Sequence, residues 1–326
     1  MTYSIGGLIQ ASDYNTFQTN LNNVWSTGTG DSGWGQTNIS AVSIGGVVTA
    51  TNWATLVNNL ATTGSQTNTP LTSRTAPVTG NVVAILANVA TNITSCTTNR
   101  GNAVSSGAEY GTFSGTTSQV NPTGSGQSAW TITFTHTVTF PSANQARYFW
   151  NAGGRVRLQF GKSSTGTDID PDWNTFAGLP GSIYVTGRVN SAAQTIASVS
   201  YTGTTRIGGS GGTQTTLATT TGWYQLSGTP ATIFQLNNAT APYTGEYIRT
   251  TAASSATVLT LVTTWVQPAV SAAGTTCNIS GGSATSSPST TITGTAPTTL
   301  CTYFPPSTAQ GLSVSWGTPT IAAAVA

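Results

Sequence analysis

The sequence predicts a mixed α+β fold that is mainly β, with short N-terminal helical repeats followed by an antiparallel β-sandwich. Apolar residues recur at helical spacing near the N-terminus, and strict two-residue alternation begins at Trp130. Turns that contain Gly or Pro separate the later alternating segments. Successive strands joined by such turns are typical of antiparallel sandwiches.

Residues 1–104 are predicted to form a helical repeat region. The segment that starts at Ile5 matches one that starts at Ile44, and a fainter third copy starts at Val78. Each of the first two indicates a short apolar, strand-like run followed by a helix, with Ser12 and Thr51 at the expected N-cap positions. Apolar residues at helical spacing are predicted to anchor the chain or mediate its oligomerisation: Tyr14, Phe17, Leu21, Val24, Trp53, Leu56 and Leu60.

These helices are rich in Asn and Thr, which are poor helix formers, so we expect them to depend on packing against each other or a partner. The linkers Ser26–Asn38 and Thr62–Ala76 consist largely of Gly, Thr, Ser and Asn. They are predicted to be exposed loops or extended arms.

Residues 105–267 are predicted to form the β-sandwich domain. From Trp130 to Phe140 the apolar side chains alternate with Thr, which indicates a long strand with one buried face. A helix of one or two turns is expected from Ala143, closed by Gly153 and Gly154. Further strands are predicted at Arg155–Phe160, Ser182–Thr186, Gln194–Tyr201, Trp223–Leu226, Thr232–Leu236, Glu246–Thr250 and Thr257–Val266.

Around this short helix lie the residues that we expect to dock onto a neighbouring protein. They combine a large apolar area with clustered positive charge, and they are Arg147, Tyr148, Phe149, Trp150, Arg155 and Arg157. The basic residues, together with Lys162, either face Asp168, Asp170 and Asp172 across a loop or dock an acidic neighbour.

Residues 268–326 form a segment rich in Ser, Thr and Pro, which either completes the sandwich or contacts a neighbour. Cys277 and Cys301 lie in this segment and could pair, whereas Cys96 is distant in sequence. Because an odd number of cysteines argues against a disulfide framework, three free thiols are the simpler expectation.

Charged residues make up only 5% of the 326 residues, against about 25% in an ordinary soluble domain. A surface of short, neutral polar side chains can pack against other subunits without burying unpaired charge. We therefore expect an assembly, most specifically a homotrimer, with a stand-alone secreted β-protein as the alternative. The net charge of +2 lacks the clustered basic face that nucleic acid requires, and no apolar run is long enough for a membrane span.

Three sequence motifs give the chain a resemblance to a known class of protein. They are the Gly-Gly-x-Ile-x-Ala-Ser-Asp-Tyr-Asn pattern that ends at Asn15, the Gly28–Gln36 loop, and Arg147–Gly154 with its Asn-Ala-Gly-Gly ending. Together they resemble virion structural proteins of tailed bacteriophages, of the tail-fibre or tail-associated type. The resemblance covers the first 60 residues and about residues 128–186. It implies a non-enzymatic particle component and identifies no catalytic residues.

The search for catalytic or metal-binding residues gives only weak candidates. His136 is the single histidine and lies on an otherwise apolar strand face, which favours a core or interface role over catalysis. Asp168, Asp170 and Asp172 alternate as at the start of a calcium loop, but Trp173 and Leu179 occupy positions where Gly and Glu are needed. An exposed acidic turn is the expected role, and neither an enzymatic activity nor a cofactor is predicted.

The leading functional hypothesis is a tail fibre or tail-associated subunit, whose partners are copies of itself and other virion proteins. A capsid decoration or head-fibre protein is the alternative, and a module that binds or cleaves host-surface glycans is the third hypothesis. The start of the chain lacks the features of a signal peptide. A location in the virion, which is assembled in the host cytoplasm and released by lysis, is therefore expected.

Overall fold

The structure is a computed structural model. It describes residues 10–72, 75–79, 86–104, 110–115, 127–166, 169–187, 193–214, 228–270, 277–279, 282–284 and 288–326. The predicted mixture of helix and sheet, with more strand than helix and with antiparallel sheets, is confirmed.

The helices are α1 (Ala11–Trp25), α2 (Ala50–Gln66), α3 (Leu86–Thr98), α4 (Ala143–Asn151) and α5 (Ile169–Gly178). The strands are β1 (Tyr110–Gly115), β2 (Trp130–Thr139), β3 (Arg155–Gly161), β4 (Ser182–Thr186), β5 (Gln194–Ile196), β6 (Val199–Tyr201), β7 (Thr204–Ile207), β8 (Thr213–Gln214), β9 (Ala231–Asn237), β10 (Tyr247–Ser254), β11 (Val258–Gln267), β12 (Cys277–Ile279), β13 (Gly282–Ala284), β14 (Thr298–Phe304) and β15 (Thr320–Val325).

The helix N-caps differ from those predicted. Helix α2 begins one residue after Thr49, whose hydroxyl accepts from the Asn52 amide at 3.2 Å, while the Asn52 side chain accepts from the Thr49 amide at 2.9 Å. This reciprocal pair satisfies two amides that would otherwise be free. The N-cap predictions at Ser12 and Thr51 are therefore wrong, since both residues lie inside the helices.

No internal repeat emerges from the part of the chain that the structure describes. The segment around Ile44 forms a turn and not a strand, and Ile44 and Val47 are 99% and 81% exposed. The matching segment at Ile5 lies outside the described residues. In the third copy Val78 is exposed and only Val89 and Ile93 are shown to be buried.

Helix α1 uses its amide side chains to hold the chain that follows it. Asn15 exchanges two hydrogen bonds of 2.8 Å with the backbone of Val42, and Asn22 exchanges two of 2.9 and 3.1 Å with that of Ile39. Here the backbone groups of Val42 and Ile39 are paired by asparagine side chains and not by a neighbouring strand. The prediction that Ser26–Asn38 is an exposed loop or arm is wrong, because the segment is fastened to α1 and partly buried.

Two antiparallel sheets contain most of the strands. Sheet 1 has the strand order β1-β14-β3-β4-β7, and sheet 2 has the order β15-β2-β11-β10-β9-β8. The alternation predicted for β2 is confirmed, because its apolar side chains and His136 are buried while its Thr residues are more exposed. Gln194–Tyr201 forms a hairpin of two short strands and not one strand, and Trp223–Leu226 lies outside the described residues.

The C-terminal segment contributes one strand to each sheet. Strand β14 lies between β1 and β3, and β15 pairs with β2 at the edge of sheet 2. Cys301 on β14 is a free, fully buried thiol, so it does not pair with Cys277. Cys96 on α3 is free and buried as well, and burial raises its pKa to about 12.

The larger of two apolar clusters extends through the helical region and both sheets. The ring of Phe160 on sheet 1 lies 6.2 Å from Phe234 and 6.4 Å from Trp265 on sheet 2. Side chains from the two sheets therefore meet in this core. Among the described helices, none has the length and apolarity that crossing a membrane would require.

Candidate functional site

The two internal motifs of the phage resemblance contact each other. The Asn151 amide, at the end of α4, donates to the carbonyl oxygens of Gly30, Ser32 and Gly33 at 3.2, 2.8 and 3.1 Å. Arg147, one turn earlier, also donates to the Ser32 carbonyl at 3.4 Å. We call this contact between the Gly28–Gln36 loop and α4 the loop junction.

Glycines and one tyrosine determine how closely the loop junction packs. Gly35 has a positive φ of 69°, and a Cβ atom there would come within 2.3 Å of the Tyr148 ring. A Cβ atom on Gly154 would come within 2.6 Å of the Phe149 ring. Any larger residue would therefore separate the loop from α4 or α4 from β3.

The loop junction also holds the C-terminal segment. The Gln36 side chain donates to the Ser313 carbonyl at 3.0 Å and accepts from the Ser313 amide at 2.8 Å. Gln36 also donates to the Ser315 hydroxyl at 3.1 Å. Residues from all three predicted regions of the chain therefore meet at this one loop.

Six of the predicted docking residues lie in the interior. Phe149 and Trp150 are 0% exposed, so of the aromatic triplet only Tyr148 is partly accessible. In the helical region the Tyr14 and Phe17 rings lie 5.4 and 6.1 Å from that of Trp53. Burial within one chain accounts for the apolar character of all six, and none of them is accessible at the surface. They are Tyr14, Phe17, Trp53, Leu56, Phe149 and Trp150.

Of the other four predicted docking residues, Arg147 and Tyr148 lie at the loop junction. Arg155 and Arg157 lie next to aromatic rings on sheet 1. They alternate on β3 with Val156, which is buried in the core. The guanidinium carbon of Arg155 lies 4.5 Å from the Phe304 ring centre, and that of Arg157 lies 5.4 Å from the same centre. We call the group formed by these arginines and their aromatic neighbours the arginine–aromatic cluster: Arg155, Arg157, Tyr184, Tyr201 and Phe304.

Arg155 is buried without an acceptor. It is 8% exposed, and among the described residues no carboxylate or other acceptor pairs with its guanidinium. Burial lowers its pKa, and the charge of Arg157 adds to this shift while Tyr201 and Tyr184 oppose it. Because a guanidinium stays protonated in proteins, Arg155 keeps a charge that no carboxylate of the described residues compensates.

The predicted acidic turn is not exposed where the structure describes it. Asp170 is 0% exposed, forms an ion pair with Lys162, and accepts from the backbone amides of Thr293 and Gly294, each at 3.1 Å. Burial alone would raise its pKa, but these contacts together lower it. Asp168 lies outside the described residues.

Asp172 instead meets a second acid, Glu246, which was not predicted. Glu246 is 0% exposed, and its second oxygen accepts from the Asn238 amide at 2.8 Å. Burial, followed by the charge of Asp172, raises the pKa of Glu246. Burial also raises the pKa of Asp172, while its contact with Glu246 opposes this shift. Within the described ranges, no group of three potential ligands could hold a metal ion.

His136 lies in the core between the sheets, as its strand position predicted. It is 1% exposed, and burial lowers its pKa to about 4, although the nearby Thr299 backbone opposes the shift. The imidazole is therefore neutral near pH 7.

Comparison with protein-family models, curated protein sequences and solved structures finds no match to this chain.

Sequence reasoning missed the aromatic half of the arginine–aromatic cluster and the acid that faces Asp172. Tyr184, Tyr201 and Phe304 reach the arginines from three different strands. Only strand pairing reveals this proximity, since nothing in their local sequence marks them. The alternation of Arg155 and Arg157 along β3 was the single available signal.

Proposed function

We propose that this chain is a non-enzymatic structural component of a tailed-bacteriophage virion, most specifically a tail-fibre or tail-associated subunit. The observation that carries the proposal is the loop junction, because two of the motifs behind the resemblance contact each other there. Asn151 and the glycines act as packing elements, with no group among them suited to bond breaking. The motifs that carry the resemblance to virion proteins therefore form an architectural contact in this chain, which supports a structural role.

The finer fold that we propose is a β-sandwich of sheets 1 and 2. It is supported by the ring contacts of Phe160 with Phe234 and Trp265, which span the two sheets. The helical region and the C-terminal segment then surround this sandwich and share its core.

We propose further that the subunit is a homotrimer that also contacts other virion proteins. Charged residues are only 5% of the chain, and the turn before α2 presents Ile44 and Val47 to solvent. Exposed apolar side chains that a polar surface surrounds favour association.

The double variant Ile44→Asn/Val47→Asn tests the trimer. Light scattering is expected to give three times the chain mass for the wild type and a lower mass for the variant. Val314→Asn is the matched control, since Val314 is 61% exposed but lies apart from this turn in sequence. A monomeric wild-type chain would contradict the trimer without affecting the proposed location.

Particle composition tests the location. Quantitative mass spectrometry of purified particles is expected to find the chain at a copy number close to that of known tail proteins. A copy number close to that of the major capsid protein would favour the capsid decoration or head-fibre alternative. Complete absence from particles would refute a virion role.

The arginine–aromatic cluster favours a second candidate function, a module that binds host-surface glycans. Partly exposed aromatic rings beside polar and charged groups are typical of sites that bind polar ligands.

A further inference from the structure

Arg155 combines deep burial, permanent charge and the absence of an acceptor among the described residues. A buried charge without a counter-charge strongly destabilises a folded protein. The rings of Phe304 and Tyr201, at 4.5 and 5.6 Å from the guanidinium carbon, offset part of this cost. They accept none of the N–H donors, however, so the guanidinium still lacks a hydrogen-bond acceptor.

The chain has few carboxylates that could serve as this acceptor. Of its seven acidic residues, five lie in the described part of the chain, and none of these is paired with Arg155. Asp31 binds Arg100 at 2.9 Å, and Asp170 binds Lys162. Asp172 and Glu246 face each other, and Asp13 lies in the first turn of α1. The other two acidic residues, Glu109 and Asp168, lie outside the described part of the chain. Since no described carboxylate is paired with Arg155, an acceptor from outside the chain is the complement that we consider.

The surroundings of Arg155 indicate what kind of molecule carries that acceptor. A guanidinium presents its N–H groups as a planar fork, which matches a carboxylate in two-point contact. Tyr184 and Phe304 are partly exposed beside it, and two positions further along β3 the Gln159 amide donates to the Ser182 hydroxyl at 3.1 Å. Aromatic faces and neutral polar groups next to a cation suit a ring that bears both hydroxyls and a carboxylate.

We propose that Arg155, together with Arg157, anchors a binding site for a carboxylate-bearing sugar of the hexuronic acid type. The carboxylate pairs with the Arg155 guanidinium, and the sugar ring lies against Tyr184 and Phe304. This inference rests on the second candidate function, glycan binding. It is independent of where the chain lies on a particle.

The experiment is a calorimetric titration of the full chain with D-glucuronate, with D-glucose as the neutral analogue of the same ring. Glucuronate is expected to bind at least ~10-fold more tightly than glucose, since hydrogen bonds to a charged group carry most of the affinity. Arg155→Met is expected to weaken glucuronate binding at least ~10-fold. Arg249→Met is the matched control, because Arg249 also lies over a tyrosine ring, at 5.4 Å from Tyr247, but on sheet 2. It should leave binding unchanged.

Four outcomes would overturn the proposal. One is equal loss of affinity in the two arginine variants, and another is no measurable binding of glucuronate by the wild type. The third is tighter binding of inorganic phosphate or of a poly-glutamate peptide, which would assign the site to another anion. Acetate is the control that carries a carboxylate but no sugar ring. If acetate binds as tightly as glucuronate, the sugar ring contributes nothing and the site is not specific for a hexuronic acid.

A stability measurement separates a ligand site from a structural arginine. Without ligand, Arg155→Met is expected to have a Tm no lower than that of the wild type, because it removes an uncompensated charge. Glu109→Gln should leave the Tm and glucuronate affinity unchanged. If both variants instead lower the Tm to the same extent, Arg155 has its partner within the chain and the proposal fails. Failure here would leave the virion role untouched.

Discussion

The loop junction and the arginine–aromatic cluster are both built around α4 and β3, yet they satisfy their polar groups in opposite ways. At the loop junction Asn151 reaches three carbonyl oxygens, and Gln36 completes a similar set with the C-terminal segment. In the arginine–aromatic cluster Arg155 carries a full charge and, among the described residues, its guanidinium contacts ring faces and no acceptor.

At the loop junction the buried polar groups find their hydrogen-bond partners within the chain. At the arginine–aromatic cluster the buried guanidinium of Arg155 has no acceptor among the described residues. Buried polar groups are normally hydrogen-bonded, so a complete network indicates a structural role. A buried group that lacks a partner suggests function or an absent ligand. The loop junction thus explains how the chain holds its shape, and the arginine–aromatic cluster is where we expect it to contact something else.

The buried ion pair of Lys162 and Asp170 is expected to show the largest effect, because both charges find their partner within the chain. Lys162→Met leaves the Asp170 carboxylate buried without its cation, and we expect a loss of about 3–5 kcal/mol in the free energy of unfolding. Chemical denaturation measures this value. The double variant Lys162→Met/Asp170→Leu should recover part of the loss. An unchanged single variant would show that this pair does not stabilise the fold.

His136 sharpens the comparison, because it is buried like Arg155 but can lose its charge. Its pKa falls from 6.5 to about 4 on folding, so the unfolded chain takes up the proton first as the pH decreases. Stability from this group is complete above pH 6.5 and is lost between pH 6.5 and 4, by about 3 kcal/mol in total.

Glu246, whose pKa is raised, acts in the opposite direction: it stabilises the fold at low pH and loses this contribution as the pH rises. The difference between wild type and His136→Leu at each pH isolates the histidine. Parallel stability curves for the two proteins would contradict the prediction.

Asn151→Ala tests the loop junction directly. Removing the amide leaves the carbonyl oxygens of Gly30, Ser32 and Gly33 without their donor, and we expect a loss of about 2–3 kcal/mol in unfolding free energy. The matched control is Asn144→Ala on the exposed side of the same helix, which should change stability by less than about 0.5 kcal/mol. Equal effects would mean that the junction is not a stabilising contact.

Local patterns allowed part of this fold to be predicted. Alternation identified β2 because every second side chain enters the core, and the paired glycines marked the end of α4. Partners distant in sequence could not be found in this way, since Asn151 and Ser32 are 119 residues apart. Ile44 and its neighbours were misjudged because an apolar run was equated with a strand, whereas here it is an exposed turn.

The candidate site was only half predictable for the same reason. The positions of Arg155 and Arg157 follow from the alternation of β3, but Phe304 comes from a segment whose pairing the sequence left open. Burial of Phe149 and Trp150 was equally hidden, because a large apolar side chain has the same sequence signature in a core as in an interface.

A cryo-EM map of purified phage particles is the most direct test of the proposed role as a structural subunit. We expect ordered copies in the tail, with the loop junction enclosed within each subunit and the arginine–aromatic cluster at its surface or at a contact with another molecule. A map of intact particles in which the chain occupies no position would contradict the account.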